Sequence, residues 1–118
     1  PEGTFAFVLG RDLPALTPDF YLHLGASVPL VPYLTPTTYE FADAVGRAIA
    51  GQRAALLQNH GVIVAGADVA SALLRLQLIE EAAGVWLAAL PAGEPRALTP
   101  DDCRALDEAT GGRYRINS

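Results

Sequence analysis

A chain of 118 residues that is 51% hydrophobic and 18% charged has the size of one domain and the apolar content for one core. The formal net charge of -5 argues against nucleic acid or an anionic membrane surface as partner, and a lone cysteine, Cys103, excludes an internal disulfide. No apolar run reaches the ~18 residues that cross a bilayer, no signal-peptide pattern is visible, and the expected location is the cytoplasm.

Residues 1–10 read as a short helix ending at Gly10, or as a strand in which Phe5, Phe7 and Leu9 alternate. Asp12 to Pro18 carries two prolines and is expected to be loop-like or extended. The stretch from Phe20 to Tyr33 is apolar but broken by Gly25, Pro29 and Pro32; it predicts a short helix or turn, then an edge strand near Val28 to Val31. Thr35-Pro36-Thr37-Thr38 is a helix entry in which Thr35 or Thr37 caps and Pro36 takes the first position, with Glu40 at capping-box spacing from Thr37. That helix runs to about Ala50 with Phe41, Val45, Ala48 and Ile49 as its buried stripe.

Ala54 to Gln58 and Val62 to Ala65 predict two neighbouring strands, the second rich in β-branched residues. Asn59-His60-Gly61 forms the turn between them, composed of residue types that tolerate positive φ. Asp68 caps a long helix from Val69 to Leu90, expected to pack on the sheet through Leu73, Leu76 and Ile79, with Ala83 and Trp86 continuing the pattern. Thr99-Pro100-Asp101-Asp102 starts a last helix that stops at Gly111-Gly112. This order predicts an α/β or α+β layered domain, and the expected form is α/β, three αβα layers around a mostly antiparallel central sheet.

Few residues carry chemistry. His60 reads either as a turn histidine paired to a backbone carbonyl or as a metal ligand, a role common for neutral imidazole. His23 reads as a partly buried, hydrogen-bonded residue, and Glu80 and Glu81 as a solvated helix face rather than an acid-base pair. Asp101 and Asp102 are first-turn acids, Cys103 a small packing residue, and Gly61 and Gly66 backbone-geometry positions; no phosphate-binding glycine loop is present.

The segments LPAL, VPLVPYLTPTT and above all LLQNHGVIVAG followed by the long helix resemble the class II aldolase/adducin family. The resemblance spans nearly all 118 residues but only the C-terminal portion of the family domain, so the whole chain, residues 1–118, is expected to be part of a single domain. It implies a zinc-dependent aldolase or epimerase-like lyase acting on small sugar phosphates through a metal-stabilised enediolate, with another divalent metal as a possible substitute for zinc. His60 matches the family's last metal-binding histidine, and Tyr114 in GRYRI matches a tail tyrosine that acts as a proton donor.

The same resemblance places an H-x-H-P motif, a glutamate and the phosphate-binding segments before Pro1, which implies that the 118 residues alone are inactive, since a catalytic zinc needs about three protein ligands. A chain without methionine that opens on Pro1 fits that expectation. A second family tyrosine would fall at Pro18, with Tyr21 three positions out of register, a departure that bears on the substrate. The family also implies a homo-oligomer, a tetramer, with contacts expected near Phe20 to Tyr33. A non-catalytic, adducin-like interaction module is the alternative function.

Overall fold

The computed structural model describes residues 11–112. The short segment expected at residues 1–10, and Tyr114, lie outside the described residues. The elements in order are β1 (Leu13–Pro14), α1 (Pro18–Leu24), β2 (Ser27–Val28), β3 (Leu30–Val31), α2 (Tyr39–Ile49), β4 (Ala54–Leu57), β5 (Gly61–Val64), α3 (Val69–Ala89), a 3-10 turn (Leu90–Ala92) and α4 (Pro100–Ala109).

β4 organises the molecule. All four of its residues are buried, as befits a strand covered on both faces. Successive side chains point to opposite faces. Ala54 and Leu56 therefore join one core with Leu13, Phe20, Leu24, Val28, Ile79 and Trp86. Ala55 and Leu57 join a smaller one with Val31, closed over by Phe41, Val45, Ala48 and Ile49 of α2. The result is three layers: α2 on one face, the sheet, then α1 and α3 on the other. The fold is α/β, as expected.

The three-stranded sheet has the order β3-β4-β5 and is mixed. β3 runs parallel to β4, reached through the α2 crossover, with Leu30 opposite Leu56. β5 returns antiparallel, pairing Leu57 with Gly61 and Ala54 with Val64. A separate antiparallel pair joins β1 to β2, with Leu13 opposite Val28. β1 lies in the proline-bearing stretch expected to be loop-like or extended, and it takes the extended form. Pro14 is tolerated because a two-residue strand at an edge has little ladder to interrupt.

The helix starts follow capping chemistry. Thr17 accepts from the Phe20 amide at 3.2 Å and begins α1. Asp68 accepts from the Ser71 amide at 2.7 Å and begins α3. Thr99 and Asp102 close a full capping box at α4, with bonds of 2.9 and 3.1 Å. At α2 the cap is Thr38, not Thr35 or Thr37; its hydroxyl accepts from the Phe41 amide at 3.2 Å. Thr37 instead sits in a turn with φ of 72°, which leaves Pro36 outside the helix. The far end of α1 is capped by Arg53, whose guanidinium donates to the His23 carbonyl at 3.1 Å.

The packing of α3 corrects one expectation. Ile79, Ala82, Ala83 and Trp86 are its buried residues, whereas Leu73 is 52% exposed. Apolar residues are spread around the helix with Arg75, Gln77, Glu80 and Glu81 among them, so spacing alone does not say which side meets the sheet.

Candidate metal-ligand site at the β4–β5 turn

The His60 site is a hairpin tip. Gln58, Asn59 and His60 form the loop between β4 and β5. Asn59 takes the left-handed conformation at φ 57°, a region that Asn enters more readily than most residues. Gly61, expected to share that role, is instead the first residue of β5, and its φ is not positive. The His60 amide donates to the Leu57 carbonyl at 3.0 Å, closing the loop on the buried strand.

The two readings of His60 differ in what its ring does. The backbone amide makes the turn bond, while the imidazole is exposed and has no hydrogen bond among the described residues. Its neighbour is Phe41, with ring centroids 5.5 Å apart and planes tilted by 48°. Phe41 also lines a shallow recess of about 340 Å³ with Thr37, Thr38, Tyr39 and Ala42. The sequence placed Phe41 in the buried stripe of α2; it does face the smaller core, but it is half-buried, as is the rest of that stripe. Its contact with a histidine 19 positions away has no sequence signature.

The other candidates lie elsewhere. His23 is half-buried in the last turn of α1. Glu80 and Glu81 border a shallow surface recess with Leu76 and Gln77 on α3. Asp101 pairs with Arg104 on the surface of α4, and Asp102 serves the cap. Cys103 is buried, and burial first, then the Asp107 and Asp102 carboxylates, push its thiol up and keep it protonated. That is a packing residue, not a nucleophile.

The donor set tests whether a metal fits. An exposed imidazole on a short hairpin loop is a competent single donor. Among the described residues, no group of three His, Cys, Asp or Glu is placed to hold a metal ion. These residues therefore offer one donor and do not close a centre.

Comparison with known proteins gives this turn its context. Residues 2–87 match the family described as Class II Aldolase and Adducin N-terminal domain. The chain is 30% identical over 99 residues to the L-fuculose phosphate aldolase of Escherichia coli, covering 84% of this chain and 46% of the relative. It is 34% identical over 100 residues to the 5-deoxy-D-ribulose 1-phosphate aldolase of Bacillus thuringiensis serovar kurstaki, covering 83% and 46%. A 3-oxo-tetronate 4-phosphate decarboxylase of Cupriavidus necator is 34% identical over 91 residues, covering 75% and 42%. Among solved structures, an L-fuculose 1-phosphate aldolase superposes with a TM-score of 0.82 at 27% identity, covering 93% of this chain and 51% of that one. The chain thus spans about half the length of the relatives it matches. With the family matched over most of its residues and the fold shared with an aldolase, this chain belongs to the class II aldolase/adducin family.

Proposed function

We propose that the chain is part of a metal-dependent lyase that cleaves a carbon–carbon bond in a small sugar phosphate, and that His60 is the imidazole it contributes to a divalent metal, zinc first. The observation that carries the reading is the state of His60: its ring stands exposed and free of hydrogen bonds among the described residues, at the tip of a hairpin rooted in the buried strand β4. The matched aldolases support the substrate class.

When bound, such a metal supplies Lewis-acid stabilisation of negative charge on oxygen. The chain's own residues do the rest. His60 would offer an imidazole nitrogen from a main-chain position anchored by its amide bond to the Leu57 carbonyl. Tyr114 is proposed to give a proton from its phenol to the developing carbanion or alkoxide, a task suited to a group that can also take the proton back. A tetramer in the cytoplasm belongs to the same proposal. The apolar side chains Phe20, Leu24, Val28 and Val31 are consumed by the chain's own cores, so the expected contacts near Phe20 to Tyr33 fall to exposed groups such as Tyr33.

The test is metal analysis of the full-length protein, with turnover of L-fuculose 1-phosphate and 5-deoxyribulose 1-phosphate. Wild type is expected to retain about one divalent metal per chain and to lose turnover with chelator. His60→Ala is expected to lose both metal and turnover while staying folded. Unchanged metal content and turnover in His60→Ala would return His60 to a turn residue. A protein that binds no metal and turns over no phosphorylated ketose would favour the adducin-like module.

A further inference from the structure

The structure assigns to Phe41 the role of a positioning residue for the His60 imidazole. This inference rests on the reading of His60 as a metal donor and adds the residue that aims it. His60 is exposed, and an exposed histidine on a loop ordinarily samples several side-chain rotamers. Here two contacts limit it, and both are footed in one apolar cluster. The His60 amide is bonded to the carbonyl of Leu57, a member of that cluster. The imidazole lies against the Phe41 ring at 5.5 Å and 48°, a tilted arrangement that aromatic pairs favour. Phe41 itself packs on the cluster of Val31, Ala55 and Leu57. Backbone and ring are thus held from the same base by two elements, β4 and α2.

The position of Phe41 is in turn set by the start of α2. The Thr38 hydroxyl accepts from the Phe41 amide at 3.2 Å and donates to the Thr35 carbonyl at 2.7 Å. The helix begins at one residue, and Phe41 then falls on the side that faces the hairpin tip. A metal donor that already occupies its bound rotamer loses less freedom on binding, which raises affinity without adding a contact to the metal.

The test uses the full-length protein with two substitutions, Phe41→Leu and Phe41→Tyr. Leu keeps the apolar contact with the cluster but removes the ring; Tyr keeps both. The first readout is the NMR shift of the His60 ring protons, which a neighbouring aromatic ring displaces. The displacement is expected to vanish in Phe41→Leu and persist in Phe41→Tyr, with circular dichroism showing that both variants keep the fold. The second is zinc affinity by chelator competition, expected to fall about tenfold in Phe41→Leu, the scale seen for groups that orient metal ligands, and to be restored in Phe41→Tyr. Identical His60 ring shifts, or identical zinc affinity, in wild type and Phe41→Leu would overturn the inference. Retention of metal in His60→Ala is a separate result: it sinks the ligand reading, and the ring-proton shifts still decide whether Phe41 orients the imidazole.

Discussion

Gly66 lies so close to Ala72 that a Cβ on it would stand 2.7 Å from the Ala72 amide nitrogen. The close approach lets the chain leave β5 and enter α3 within a few residues, with Asp68 as the cap between them. Backbone atoms on both sides leave nothing flexible to give way. Gly66→Ala is therefore expected to cost about 1–3 kcal/mol, as overpacking does. Gly61→Ala, where an added Cβ meets nothing within 4 Å, is expected to cost less than about 1 kcal/mol. Urea unfolding of the two variants checks the contrast, and equal costs would refute it.

Thr37 and Thr38 are adjacent threonines with opposite consequences. Thr37 is β-branched and held at φ 72°, a conformation that costs a non-glycine residue about 1–2 kcal/mol. Thr37→Gly relieves that strain and is expected to stabilise the protein, less the entropy glycine adds to the unfolded chain. Thr38→Ala removes the cap of α2 and is expected to destabilise by about 1 kcal/mol. Melting temperatures that move in the same direction for both would contradict this placement of the helix start.

The buried side of α3 is tested by a pair of truncations. Ile79 is fully buried, and Ile79→Ala is expected to cost about 2–5 kcal/mol. Leu73 is half-exposed, and Leu73→Ala is expected to cost under about 1 kcal/mol. Denaturant midpoints measure both, and a larger loss at Leu73 would mean the helix is rotated.

Two helix caps give the protein a defined acid response. The Ser71 amide, then the Ser71 side chain, hold the Asp68 carboxyl below the ordinary carboxylate range. The Thr99 amide, then its hydroxyl, do the same for Asp102. A carboxylate depressed in the folded state stabilises above its unfolded-state value, and that contribution is lost as pH falls through the folded value. Stability should therefore drop as pH falls through and below the ordinary carboxylate range. Asparagine caps nearly as well as aspartate at position 68, its side-chain oxygen can still accept from the Thr99 amide at position 102, and it does not titrate there. The double variant Asp68→Asn, Asp102→Asn is expected to show a shallower fall of melting temperature over that window, and an unchanged slope would refute the assignment.

Much of the architecture was legible in the residues themselves. The unbroken apolar run at β4 read as a buried strand, and all four of its residues are buried. Asp68 and Thr99-Pro100 marked helix starts because a cap acts on amides two or three positions away. The stripe of Phe41, Val45, Ala48 and Ile49 pointed inward because the opposite side of α2 is polar. The family motif at LLQNHGVIVAG was likewise contiguous and could be read as written.

Tertiary structure decided what local chemistry leaves degenerate. Apolar residues are spread around α3 with polar ones interspersed, so only its packing against α1 and the sheet chose Ile79 over Leu73. The sequence offered Thr35 or Thr37 as the cap of α2, but the helix starts from Thr38, the start that goes with the seating of Phe41 on β4. The single edge strand expected near Val28 to Val31 is divided into β2 and β3. The strand β1 is two residues long, too short to announce itself, and pairs with β2 where Leu13 and Val28 meet in the core. The contact of Phe41 with His60 is of the same kind. Capping and periodicity act over about four residues of chain, whereas pairings between distant residues follow from how whole elements bury their apolar faces together.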